Sequence, residues 1–449
     1  MSKPPDLLQG TLDLLILKTT ALLVSYVVLA VAFQRATPVL EATDEARHFG
    51  MALLISETGT LPRASATERT IAAQEVTQAP LYYALSAMVI RGFDLSAAPA
   101  YFQMTPGFIA GRADLPGPRN MFLPRSELRV TSRHFEAAIG LLRWASTLMG
   151  LGVVVLTLLS FRVLLPGDPD AALFAAAVVA FNPMFLFMHT SVNNDCLLNL
   201  LAATVVYALL KTSGSRSNLP QAIAGGLLLG LAIMTKLSGV VLAPALLLHL
   251  FWRASSRRSA ALHLSAFVGA ATAVSGWWFA RNVALYGSAT ASALHARLAG
   301  NGRASIEPLA LLFEWDGFVK SYWGVFGGFN IIYADAVYGA FYGLSLVLLA
   351  LAAFGVLTLI RRRRQIEGVL LALLIVTNLL AVAYWTSFLL GSQGRLLFPS
   401  IVASAQLAAC GLTALPPVPR TAVSLITVAF LIGCSAWAAY ALIPGSYLS

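Results

Sequence analysis

The chain has 449 residues, of which 58% are hydrophobic and only 11% charged, and it carries a net charge of +10. Soluble domains hold about 25% charged residues, so water is excluded as the solvent for most of this sequence. Its three cysteines (Cys196, Cys410, Cys434) all lie in apolar runs without metal-ligand spacing, which excludes a disulfide framework. No P-loop or dinucleotide fingerprint occurs, so a nucleotide-driven engine is excluded too, and no nucleic-acid partner is expected.

The hydrophobic runs are continuous and rich in Leu and Ala, which predicts membrane helices and not barrel strands. Crossing about 30 Å of hydrocarbon takes roughly 20 helical residues. In chain order the predicted spans are 19–36, 139–162, 171–190, 195–211, 220–235, 237–252, 260–280, 337–360, 367–389, 396–414 and 421–443. The expected fold is an all-α polytopic membrane protein with about eleven transmembrane helices. The short pairs around Asn193–Asn194 and Lys236 also fit re-entrant or broken helices. Residues 1–18 are read as a cytoplasmic or interfacial segment without a cleavable signal, and 444–449 as a short tail. Asp6–Lys18 resembles the first helix of PadR-like transcription regulators, but no winged helix follows, and it carries no functional weight.

Lys and Arg in short loops favour the cytoplasm. With the N-terminus inside, Lys211, Arg216, Arg253, Arg257, Arg258, Arg361 to Arg364 and Arg420 all fall on the cytoplasmic side. Two long segments, 37–138 and 281–336, are then extracytoplasmic loops. The first is expected to contain amphipathic helices, with Gln78–Arg91 at the membrane interface. It also holds Arg47, Arg63, Arg69, Arg91, Arg112, Arg119, Arg125, Arg129 and Arg133. These suit either attraction to anionic headgroups or a grip on phosphate.

Five polar constellations interrupt the apolar chain. Directly after the first span comes Glu41-Ala42-Thr43-Asp44-Glu45-Ala46-Arg47-His48. In a helix Asp44 and His48 would share a face, with Glu41 and Glu45 on a neighbouring stripe. Such acids suit general-base chemistry, and equally a solvated turn. Next are Asn182-Pro183 and Asn193-Asn194-Asp195, where Asn194 fits a helix cap and Asp195 a favourable dipole position. The same Asn193 and Asp195 also fit the rim of an outward site. Thr235-Lys236-Leu237-Ser238-Gly239 puts a lysine between two apolar helices, either snorkelling or offering a charge to phosphate. Trp277-Trp278-Phe279-Ala280-Arg281-Asn282 combines interfacial aromatics with a cation that anchoring explains poorly. Gly391-Ser392-Gln393-Gly394-Arg395 ends on an arginine whose fork of donors matches phosphate oxygens or anchors the span. On the predicted topology all five lie at one membrane face, ringing an outward-opening chamber. Acids opposite cations suit an anionic, lipid-linked donor.

At these residues the chain resembles the glycosyltransferase-C superfamily of polytopic membrane enzymes. More closely, it looks like the bacterial branch related to protein O-mannosyltransferases and aminoarabinose transferases. Asp44-Glu45 matches the family's Asp-Glu pair after the first helix, and Gln78-Ala79-Pro80-Leu81-Tyr82-Tyr83 matches its Pro-Pro-Leu-Tyr-Tyr-like element with alanine for the first proline. Thr235, Lys236 and Gly239 match a Thr-Lys-x-x-Gly turn, and Arg281-Asn282 an Arg-Asn pair. Gly394-Arg395-Leu396-Leu397-Phe398-Pro399 matches a Gly-Arg-Tyr-Leu-Phe-Pro element with leucine for the tyrosine. Gln78 stands near the place where aminoarabinose-transferase-like enzymes often carry a lysine.

The resemblance covers roughly residues 20–400 and implies a glycosyltransferase-like domain over 19–443. The implied reaction moves a sugar from a polyprenyl-phosphate donor to a lipid, glycan or protein acceptor, with inversion, on the extracytoplasmic side of a bacterial inner membrane. Asp44 is the expected base, with Glu45 and His48 orienting it or the acceptor. Lys236, Arg281 and Arg395 are expected on the donor phosphate, and Asn193, Asp195, Asn282 and Tyr82 on sugar or acceptor. No cofactor is required by these motifs, although adjacent acids are compatible with a divalent cation. A transporter or flippase of lipid-linked sugars is the alternative, using the same basic chamber without chemistry.

Overall fold

A computed structural model describes residues 5–65 and 70–448. Arg69 of the first loop lies outside the described residues, as do positions 1–4 and 449 of the predicted terminal segments. The described chain is mostly helical, with one antiparallel pair of two-residue strands, Val325–Phe326 and Ile331–Ile332.

Among the described residues, eight helical stretches are long and apolar enough to cross a bilayer. They are Asp13–Ala36, Arg133–Leu164, Asp195–Thr212, Arg257–Tyr286, Asp335–Arg361, Gln365–Thr386, Gly394–Leu412 and Pro417–Tyr447. The other three predicted spans form shorter apolar helices. Leu219–Thr235 is one, and Leu237–Arg253 a second, entered through a 3₁₀ turn over Leu237–Leu242. The predicted span 171–190 is broken into Pro169–Ala180 and Pro183–Met188. The break has a local cause. Pro183 has no N–H to continue the first helix, and the Asn182 side chain accepts from the Phe185 N–H at 2.9 Å, capping the second.

The centre of the bundle is the Ile401–Leu412 helix, most of whose residues are buried. It crosses Asp335–Arg361 through glycines on both sides: a Cβ on Gly355 would lie 1.9 Å from the Leu407 carbonyl, and one on Gly411 1.8 Å from that of Leu351. Small residues let backbones meet where lipid supplies no hydrophobic drive between helices. The buried Gln406 amide donates to the Thr157 carbonyl at 2.8 Å, tying this helix to Arg133–Leu164.

The first long loop folds onto the N-terminal end of Arg133–Leu164. Its Glu45–Thr58 and Leu81–Ile90 helices share a second apolar core containing Phe49, Tyr83, Phe135 and Ile139. Leu81–Ile90 is apolar on both faces, unlike the amphipathic helix expected there: Tyr82, Tyr83 and Ile90 are buried, while Leu85, Met88 and Val89 are exposed.

Candidate functional site

A cavity of about 410 Å³ opens between the first loop and the bundle. Its wall brings together Asp44, His48, Glu75, Asp195, Lys236 and Arg395, residues spread over most of the chain. Trp278, Trp385 and His295 also face it.

Asp44 ends the loop after the first span and precedes the Glu45–Thr58 helix in a left-handed conformation, φ 60°. Leu40, also left-handed at φ 68°, bends the same loop. Left-handed non-glycine residues cost about 1–2 kcal/mol each and persist only where surrounding contacts hold them. Here they do. Thr43 donates to the Gly327 carbonyl at 2.8 Å, and the Glu41 carboxylate accepts from the N–H groups of Met121 and Phe122 at 2.8 and 2.9 Å. Burial pushes the Glu41 carboxyl up to about 7 against those two donors.

Although Asp44 occupies the cap position, its side chain does not cap the helix. It turns to Arg395, which donates to it at 2.5 Å across 351 residues of sequence. Arg395 is positioned by a close approach: a Cβ on neighbouring Gly394 would lie 2.2 Å from the Phe318 carbonyl, so only glycine lets this turn seat against the Trp315–Trp323 helix. The guanidinium also donates to Gln393 at 2.7 Å and lies 5.4 Å from the Phe329 ring centre. Burial raises the Asp44 carboxyl, but the Arg395 charge, with His48 and Arg47, outweighs it and holds Asp44 below the usual carboxylate range.

A second ion pair stands on the same wall, with Lys236 donating to Asp195 at 2.5 Å. Lys236 is thus neither free nor snorkelling. Asn193 accepts from the Asp195 N–H at 2.8 Å, while Asn194, expected as the cap, makes no cap bond. The Asn194 amide instead donates to Gln78 at 2.9 Å and Tyr83 at 3.2 Å.

Sequence reasoning missed a third group. The Tyr83 hydroxyl donates to Glu75 at 2.7 Å and pairs with His48 Nδ1 at 2.9 Å. Burial pushes the His48 imidazole below its ordinary value, against the pull of Glu75 and Asp44, so it stands neutral at neutral pH. A glutamate five residues before Pro80 was the available signal, but nothing in its neighbours marks it.

Several expected site residues lie elsewhere. Glu45 is fully buried: it accepts from Arg143 at 2.8 and 2.5 Å and from the N–H groups of Leu40 and Val192 at 3.0 Å each. Its lone pairs are thereby used, leaving none for an acceptor. Arg281 donates to the carbonyls of Pro62 and Leu61 at 3.0 and 3.4 Å and does not line the cavity. Asn282 donates to the Ala289 carbonyl, and Tyr82 packs edge-on against Tyr83 in the loop core. Asn193 is buried behind the wall. Among the described residues no three His, Cys, Asp or Glu side chains gather as a metal site, so a divalent cation finds no assembled ligand set.

The family model for dolichyl-phosphate-mannose-protein mannosyltransferase matches residues 133–279. No curated protein matches the sequence. Among solved structures, the chain is similar to ArnT from Cupriavidus metallidurans bound to undecaprenyl phosphate, with a TM-score of 0.55 at 16% identity over 94% of this chain. Apo ArnT gives 0.53 at 16% identity over 93% of this chain. In both comparisons the chain spans 64% of the length of ArnT. The archaeal oligosaccharyltransferase AglB from Archaeoglobus fulgidus, in complex with an inhibitory peptide and a dolichol-phosphate, gives 0.47 at 13% identity, covering 93% of this chain and 56% of AglB. The chain is thus similar to a mannosyltransferase family over residues 133–279, and it shares with ArnT the fold of a polytopic helical membrane protein.

Proposed function

We propose that the protein is a membrane glycosyltransferase that moves a sugar from a polyprenyl-phosphate donor to an acceptor hydroxyl. The observation that carries this reading is the meeting of Asp44 and Arg395 at 2.5 Å on one cavity wall, with Lys236 and Asp195 beside them. A carboxylate and two cations around a cavity of sugar-phosphate size meet the needs of the reaction. Arg395 and Lys236 hold the donor phosphate and stabilise the charge that grows on it. Asp44 takes the acceptor's hydroxyl proton as that oxygen bonds to the anomeric carbon. The bond from that carbon to the phosphate oxygen breaks, and polyprenyl phosphate leaves with the electron pair. Attack opposite the leaving group inverts the anomeric centre. His48, held by Tyr83 and Glu75, orients the acceptor; Trp278 and Trp385 supply apolar faces for a sugar ring. Arginine-rich short loops support a cytoplasmic N-terminus, with the cavity opening at the outer face of a bacterial inner membrane.

The test is release of polyprenyl phosphate from a labelled polyprenyl-phosphate sugar in membranes containing the protein. A carrier of lipid-linked sugars would bind the same donor and release none, and that outcome would refute the reading.

A further inference from the structure

The charges on the cavity wall are already spoken for. Among the described residues that line it, Lys236 and Arg395 are the cations, and three carboxylates, Asp44, Glu75 and Asp195, face them. Each cation is bound to one carboxylate at 2.5 Å. Glu75 has the Tyr83 hydroxyl, with His48 close by. A phosphate entering this wall meets an excess of negative charge unless it takes a carboxylate's place.

The two partners in the Asp44–Arg395 pair are not equally fixed. Arg395 is held from several sides, by Gln393 at Nε, Met188 at Nη1 and the Phe329 ring. Its side chain is 6% exposed and that of Asp44 29%. Among the described residues, Asp44 has Arg395 as its hydrogen-bond partner and no cap bond to its own helix. The arginine therefore stays while the carboxylate is free to turn away. A guanidinium donates to carboxylate and phosphate oxygens alike.

We propose that Asp44 and the donor phosphate occupy Arg395 in turn: the carboxylate holds the arginine while the site is empty, and the arriving phosphate displaces it and so releases the base. This rests on the donor reading above and adds an order to it. The acceptor's base becomes available only once the donor is seated. A base held idle by an internal ion pair does not act on water or an acceptor before there is a leaving group to expel.

The consequence is counter-intuitive, since removing the base improves donor-lipid binding. Undecaprenyl phosphate is titrated into the full-length protein in nanodiscs, and its binding is read from the change in total tryptophan fluorescence, to which Trp278 and Trp385 on the cavity wall contribute. Asp44→Asn removes the competing charge and is expected to bind at least tenfold more tightly than wild type. Asp44→Ser, which lacks even the planar amide, is expected to shift the same way and serves if the asparagine variant folds poorly. Adding Arg395→Gln to Asp44→Asn is expected to erase the gain. Equal or weaker binding in the Asp44 variants overturns the exchange and leaves the donor reading standing. No binding by any of the proteins, wild type included, overturns both.

Discussion

Asp44 and Glu45 are adjacent in sequence, and each binds an arginine brought from far along the chain at 2.5 Å. The two pairs nevertheless do different work. The Glu45–Arg143 pair is sealed in protein. Glu45 collects four donors, and Arg143 donates beyond it to the carbonyls of Thr37 and Pro38 at 2.8 Å each and Gln34 at 3.3 Å. It joins the end of the first span, the start of the loop helix and the Arg133–Leu164 span at one point. The Asp44–Arg395 pair faces a cavity and leaves lone pairs unused. The comparison teaches that an ion pair whose capacity is filled inside the fold can only hold the fold together, whereas one with capacity facing a cavity can still meet a ligand. A one-residue step along a bent loop decides which.

Four experiments bear on that contrast. Asp44→Asn is expected to lower transfer about 10²- to 10⁴-fold, the usual contribution of a general base, with folded yield unchanged. Near-wild-type turnover there would dissolve the distinction. Arg143→Met should act oppositely, as loss of fold. It leaves a buried carboxylate without its counter-charge, at a cost of about 3–5 kcal/mol, read as a lower unfolding midpoint in detergent. Pairing it with Glu45→Leu should recover much of that loss, because two apolar groups replace two buried charges.

A smaller effect is expected at Tyr83→Phe, which strips the hydroxyl from both Glu75 and His48. The cost is about 1–3 kcal/mol for polar groups left short of a partner, divided between stability and KM for the acceptor. The fourth experiment is a pH profile. Activity that needs the Asp44 carboxylate persists until pH falls past its lowered value, so the acid limb of kcat/KM is expected below the ordinary aspartate value, about 3.9. In the residual activity of Arg395→Gln the lowering charge is gone and burial remains, so the limb should move upward. An unmoved limb would break the link between this arginine and the base.

Much of the site was legible in the sequence because charge is rare in lipid. Asp44, His48, Asp195, Lys236 and Arg395 each interrupt an apolar stretch, and the cavity gathers all five. Glu75 escaped because it sits in a loop already rich in polar residues; Tyr83 stood in the matched loop element, but its neighbour Tyr82 was the tyrosine expected at the site. Arg143 shows the opposite failure. It lies within a predicted span, where an ionisable residue is a signal, yet its partner Glu45 was assigned to chemistry. Arg281 looked like a site residue from its motif, but its Nη2 donates to the carbonyls of Leu61 and Pro62 and it does not line the cavity. Side-chain direction on a helix, and which loop happens to pass, are invisible in a one-dimensional pattern.

The class of the molecule was determined by sequence alone. A chain this apolar satisfies its backbone inside lipid by forming helices, and long Leu- and Ala-rich runs mark where they lie. What only the tertiary structure decided was pairing: which carboxylate meets which cation, and which pair is buried. Coulomb energy depends on distance and on surrounding medium. Both are set by contacts between segments up to 351 residues apart, which no local run of residues encodes.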